Sequence, residues 1–209
     1  TTHWSEPLRR LLRHHKRDTL ITFGVSCLNA VAFYMLLSYM PTYVKEELGF
    51  SQGTATMATS VTLVVYIAAI FLMGRLSDFF GRRRMLVSAC MAFIVLSIPL
   101  FLAMTHAPGL PAIVACQIIF AIMLTANDGT LATFLAESFP TSVRYSGFAL
   151  SFNGANALLG GTTPFIVTWL IGVSGSSLAP AVYLTAVSAM AMVSILASRV
   201  LHSSDLTEP

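Results

Sequence analysis

The sequence predicts an all-α integral membrane protein of six transmembrane helices with both ends in the cytoplasm. Three observations carry that prediction. The 209 residues are 56% hydrophobic and only 10% charged, whereas a soluble domain carries about 25% charged residues to cover its wet surface. Uncharged runs recur along the chain at the roughly twenty-residue length that crosses a hydrocarbon core of about 30 Å. Counting those runs as alternate crossings puts every Lys and Arg except Lys45 on one side, and the positive-inside rule makes that side the cytoplasm.

The chain opens with "TTHWSEP", which has neither an initiating Met nor a signal-peptide pattern, so we expect it to continue a longer protein. In "PLRRLLRHHKR", Leu8, Leu11 and Leu12 share one side of a helix, with Arg9, Arg10, Arg13, Lys16 and Arg17 around the rest. Residues 1–18 thus read as a cytoplasmic linker with an amphipathic basic helix at an anionic membrane surface. A solvated run that only fixes topology fits equally well.

The membrane part occupies residues 19–201. Its spans are Thr19–Val44, Thr54–Gly74, Met85–Thr105, Pro111–Ala136, Gly147–Val173 and Ala179–Ser198. The fourth contains one ionisable acid, Asp128, and the others contain no Asp, Glu, Lys or Arg. The outer loops "KEELGFSQG", "HAPGLP" and "SGSSLAP" are too short for an extracellular domain, and the cytoplasmic tail 202–209 should fray. Tyr43 and Trp169, near the outer ends of their spans, suit an interfacial aromatic belt. Cys27, Cys90 and Cys116 lie inside spans without metal-ligand spacing and read as small apolar packing residues.

Charge placement also limits function. Net +3 is spent on topology rather than on a nucleic-acid surface, so no nucleic-acid partner is expected. No nucleophile–base set, metal-spaced His pair or phosphate loop stands out, which argues against an enzyme and against any cofactor.

The densest charge lies in "GRLSDFFGRRRML". This stretch resembles the loop signature of the major facilitator superfamily, between the second and third helices of a six-helix half. Gly74 permits close helix approach and Gly81 a sharp turn. Asp78 can accept from a helix N-terminus or pair with Arg, and Arg82, Arg83 and Arg84 can donate to neighbouring helix ends. "ESFPTSVR" similarly resembles the family's second charged element, with Glu137 and Arg144. The resemblance implies a cytoplasmic network of Asp78, Arg82–Arg84, Glu137 and Arg144 that closes one conformation and opens in the other. "AFYMLLSYMPTYV", "FPTSVRYSG" and "GGTTPFIVTWLI" look like the second half of the metabolite–proton symporter family, which includes proline/betaine, α-ketoglutarate, citrate and shikimate symporters. It implies half of a twelve-helix fold built from inverted three-helix repeats, with a missing N-terminal six-helix half, the lipid bilayer and a small-molecule substrate as partners.

Substrate in such a fold binds near the midplane between the halves. Asp128 lies roughly 7 Å cytoplasmic of the centre of its span, where an ionisable group is costly and usually lines a pathway or pairs. It forms a stripe with Gln117, Ala121, Thr125 and Ala132, and is a candidate for proton or substrate handling; a structural carboxylate is the competing reading. Asn153 and Asn156, with Gly160 and Thr163, share a face of span five, ahead of a kink expected at Pro164. Asn29, Phe33 and Tyr34 could line the cavity or pack in the core, and their aromatic rings suit a quaternary ammonium. The function expected from the resemblance is proton-coupled symport of a small polar metabolite by alternating access, with the proton gradient as coupling ion. A six-span pore or a membrane-anchor subunit acting as a homodimer is the alternative.

Overall fold

The computed structural model describes residues 5–106 and 109–198. "TTHW", Ala107 and Pro108 of the second outer loop, Arg199 and the tail lie outside the described residues. The rest is helical: α1 (Ser5–His14), α2 (Lys16–Phe33), α3 (Met40–Glu46), α4 (Gln52–Phe80), α5 (Arg82–Thr105), α6 (Leu110–Glu137), α7 (Arg144–Ala155), α8 (Thr163–Ser174) and α9 (Ala179–Ala197). A π-helical turn, Tyr34–Tyr39, joins α2 to α3, and a second, Asn156–Gly160, follows α7. Taken through these turns, six helical segments are long and apolar enough to cross a membrane, from 19 to 31 residues each.

The helices outrun the apolar runs, since polar flanks can continue a helix once it is nucleated. The charged stretch between spans two and three is therefore not a loop of any length. α4 continues to Phe80, α5 begins at Arg82, and Gly81 alone breaks the helix, at φ 93°, a backbone region that costs glycine little. Other ends follow ordinary capping chemistry. The Ser51 hydroxyl accepts from the Thr54 amide at 3.2 Å to start α4, and Gly175 ends α8 in the left-handed conformation. Pro164 and Pro180 occupy first-turn positions of α8 and α9, where their missing donors are harmless.

Span one is the most enclosed of the six, packing on α6, α7 and α9, while spans two and five turn much of their surface outward. Lipid removes the hydrophobic drive between helices, so close backbone contact and shape must hold them together. Gly24 supplies one such contact: any Cβ there would overlap the Ser194 side chain of α9. Tyr43, Phe101, Phe120 and Phe93 form a chain of rings, the first two contacts edge to face and the last stacked, with neighbouring centroids 5.2, 5.4 and 6.4 Å apart. Tyr43 thus departs from the expected aromatic belt. It is fully buried and its hydroxyl donates to the Ser177 carbonyl at 2.8 Å, tying span one to the loop before α9. Trp169 remains exposed. The three cysteines are buried and free.

The basic helix α1 is divided from α2 at His15. Its Leu11 is buried against Phe139 and Val143 of the loop between spans four and five, whereas Leu8 and Leu12 stay exposed.

Candidate functional site

The site begins with how α4 meets α6. Thr62 donates to the Gln117 side-chain oxygen at 3.1 Å, and Gly74 lies against Gly129. Both pairs are 55 positions apart (117 − 62 and 129 − 74), so the two helices run side by side in the same direction. Gly129 is the tighter glycine. A Cβ there would come within 3.0 Å of the Gly74 nitrogen and 3.3 Å of the Ile70 carbonyl, whereas one on Gly74 would meet nothing nearer than 3.8 Å. The close approach expected at Gly74 therefore depends on a second glycine that the motif does not contain.

This contact sets Asp128, the residue before Gly129, into the angle between α2, α4 and α6. Its Oδ2 accepts from the Tyr66 hydroxyl of α4 at 2.5 Å, and its Oδ1 from the Asn29 side-chain amide of α2. Two directed donors from two other helices hold the carboxylate in place. Its neighbour Asn127 is fully buried with neither amide atom hydrogen-bonded among the described residues. Buried groups left in that state cost about 1–3 kcal/mol each.

A cavity of about 300 Å³ opens beside the carboxylate. Its walls carry five aromatic rings: Phe33 and Tyr34 from span one, Tyr66 from α4, and Phe148 and Phe152 from α7. Phe33 meets Tyr34 and Tyr66 edge to face, with centroids 6.0 and 6.3 Å away. Asn156 closes one side while its amide donates to the Phe152 carbonyl at 2.9 Å. No Lys or Arg lines the cavity.

Both π-helical turns begin at this cavity, at Tyr34 and at Asn156. Such insertions gather at functional sites because they re-aim side chains out of the regular 3.6-residue register. The interruption expected at Pro164 is this second turn, closed by the Gly161 amide on the Asn156 carbonyl at 2.8 Å. The two irregular segments touch. A Cβ on Gly160 would sit 2.8 and 2.9 Å from two ring carbons of Tyr34.

Five of the eight intramembrane candidates, Asp128, Asn29, Phe33, Tyr34 and Asn156, lie on the cavity wall. Three do not. Gln117 is buried with Thr62, and Thr125 is buried with its hydroxyl on the Ile122 carbonyl of its own helix. Asn153 is exposed, because the cavity face of α7 is the ladder Phe148, Phe152, Asn156 and Asn153 lies about 100° around the helix from Phe152. Tyr66, Phe148 and Phe152 were not anticipated. Tyr66 is the sole tyrosine of its span, and four-residue spacing from Thr62 was the available signal.

At the end of the bundle that carries Gly81, Arg82 joins the two charged elements, with Asp78 at 3.0 Å and Glu137 at 3.5 Å. Arg83 and Arg17 donate instead to the last-turn carbonyls of α9, Leu196 at 3.3 Å and Ala197 at 3.0 Å, where cations favour the helix dipole. Arg144 departs from the expected ion pairing: its Nε donates to the Phe139 carbonyl at 3.2 Å. The intervening Pro-Thr-Ser turn aims it back at its own loop. Arg84 is exposed and makes no ion pair among the described residues.

The family model described as "Major Facilitator Superfamily" matches residues 22–208. Among curated proteins, the ectoine/proline transporter ProP of Corynebacterium glutamicum is 34% identical over 189 residues, 90% of this chain and 37% of the relative. The glycine betaine/proline/ectoine/pipecolic acid transporter OusA of Dickeya dadantii is 31% identical, covering 88% and 36%. The proline/betaine transporter of Escherichia coli K12 is 33% identical, covering 85% and 35%. The chain thus spans little more than a third of the length of the relatives it matches.

Proposed function

The chain belongs to the Major Facilitator Superfamily, and on that premise we propose that it forms the second six-helix half of a proton-coupled symporter for small zwitterions with an ammonium centre. Proline and betaine, after which its relatives are named, are the model substrates.

The observation that carries this reading is a carboxylate beside five aromatic rings around about 300 Å³, with no basic residue in the wall. That volume is at the small end of ligand cavities, which run from about 300 to 1,000 Å³. Aromatic faces attract a desolvated ammonium by about 2 kcal/mol, and a quaternary ammonium, which has no N–H to donate, depends on such faces. Asp128 supplies the counter-charge, and Tyr66 and Asn29 aim it. A proton on Asp128 would compete with the ammonium, so in a symporter Asp128 stays ionised as the counter-charge and the coupling proton is taken up by another group. A di- or tricarboxylate would instead meet repulsion from Asp128 in this wall.

In this reading a first six-helix half covers the cavity mouth and the outward apolar face of span two, and both ends of the chain lie on the cytoplasmic side of the cell membrane. Arg82, with Asp78 and Glu137, is the inner latch. Exposed ion pairs are each worth about 0–1 kcal/mol, weak enough to let two states of similar energy exchange.

The test is uptake by the full-length protein in vesicles across betaine, proline, citrate, α-ketoglutarate and shikimate, with and without an imposed pH gradient. We expect accumulation of betaine or proline that rises with an inward proton gradient. Accumulation of citrate in preference to both, or no effect of the gradient, would overturn the assignment.

A further inference from the structure

The charged end of span one carries a second cavity system that the transport reading does not use. Leu8, Arg9, Leu12, Arg13 and Lys16 line an open basic hollow of about 400 Å³ on α1 and the first turn of α2. A slot of about 280 Å³ continues from it between α2 and α7, lined by Thr19, Leu20, Phe23, Leu150, Gly154 and Leu158 among others. The two share Leu12 and Lys16, so a hollow rimmed by cationic side chains adjoins an apolar slot.

Charge and shape point to the same occupant. Arg9, Arg13 and Lys16 are exposed, and from residue 8 onward no described carboxylate lies within 4.0 Å of any of them. Leu11 anchors α1 to the protein, which leaves its Leu8 and Leu12 edge beside the mouth of the slot. The slot then runs along two parallel ladders, Lys16 to Phe23 on α2 and, on span five, Leu150 and Gly154 of α7 with Leu158 of the π-helical turn after it, for about 10–12 Å along the helices. Gly154 contributes no side chain to its wall: a Cβ there would reach Phe23 at 3.6 Å, an ordinary contact, so a larger side chain would be needed to fill the groove.

We propose that α1, α2 and α7 form a binding site for one anionic phospholipid. Arg9, Arg13 and Lys16 hold the phosphodiester by charge-assisted hydrogen bonds, and one acyl chain lies in the slot past Leu20, Phe23, Gly154 and Leu158. The proposal requires α1 at the inner membrane surface, and is independent of which solute is carried. The site ties the linker helix to the bilayer beside a helix that also lines the substrate cavity.

Native mass spectrometry of the full-length protein in detergent, titrated with phosphatidylglycerol or phosphatidylcholine, tests this. The wild type should retain phosphatidylglycerol at least tenfold more strongly than phosphatidylcholine. The double variant Arg13→Gln/Lys16→Gln should reduce that preference to below threefold. Gly154→Leu should weaken phosphatidylglycerol retention at least fivefold with the basic residues intact, and Leu20→Ser gives the same readout should the leucine variant fail to fold. Equal retention of the two lipids by the wild type overturns the proposal. So does an unaltered Gly154→Leu, which would reduce the site to surface charge. Loss of melting temperature in Gly154→Leu without loss of lipid would assign the slot to the other half of the transporter, and also overturns it. None of these results depends on uptake, so they separate this site from the transport assignment.

Discussion

Adding one methyl group at Gly160 tests the contact between the two π-helical turns. A Cβ at this position would lie 2.8 and 2.9 Å from Tyr34 ring carbons and 3.4 Å from the Ala30 Cβ. Carbon atoms in favourable contact sit at about 3.5–4.0 Å, so the ring must move by roughly 1 Å or the helices must part. Overpacking on that scale costs about 1–3 kcal/mol. At about 2–4 °C per kcal/mol for a chain of this size, Gly160→Ala should melt roughly 2–12 °C below wild type in detergent. The neighbouring glycine is the control. A Cβ on Gly161 meets only the Ala157 and Asn156 carbonyls, at 3.5 and 3.8 Å, and its backbone is ordinary right-handed helix, so Gly161→Ala should melt at or slightly above wild type. Tyr34→Ala should rescue Gly160→Ala, with a coupling energy of about 1 kcal/mol or more in a double-mutant cycle. Equal melting of the two glycine variants, or no rescue, would refute the reasoning.

Three other outcomes follow from the same geometry. Gly129→Ala, which drives a methyl into the α4 backbone, should lower the melting temperature more than Gly74→Ala; the reverse order would contradict the α4–α6 contact described above. Tyr66→Phe removes one donor to the Asp128 carboxylate, a charge-assisted bond worth about 1.5–3 kcal/mol, and should raise the uptake KM for betaine roughly tenfold; an unchanged KM would remove Tyr66 from the site. Arg82→Gln breaks both ion pairs of the latch and, at about 1 kcal/mol or less for each, should shift labelling of a cysteine at position 132 by an impermeant reagent severalfold. Arg144→Gln, whose bond is to a carbonyl, should leave that labelling unchanged.

The six spans were legible because lipid imposes one length and forbids charge over it, so composition alone marks them. Asp128 was legible for the same reason: one carboxylate in such a run must line a pathway or find partners, although its role as site or structural group stayed open. What the sequence hid is mostly register. Tyr66 sits in an apolar run where a tyrosine reads as one more ring, and only α6 alongside turns its hydroxyl into a partner for Asp128. Asn153 looked equivalent to Asn156 at helical spacing, yet only one of two faces about 60° apart reaches the cavity. The π-helical turns have no signature beyond nearby glycine and proline, and their effect on Tyr34 and Gly160 exists only once both spans are packed. The charged stretch was read as a loop because polar residues at a membrane surface suit loop and helix end alike, and Gly81 alone decides between them. Arg144 was assigned a carboxylate by family resemblance, but the turn preceding it supplied a nearer carbonyl.

The account rests on Asp128 as the counter-charge for an ammonium. Equilibrium binding of labelled betaine to the full-length protein in lipid nanodiscs, wild type against Asp128→Asn, measures this without the other steps of transport. Loss of a charge-assisted contact worth about 1.5–3 kcal/mol predicts at least tenfold weaker binding in Asp128→Asn at unchanged melting temperature. Equal affinity in the two proteins would contradict it.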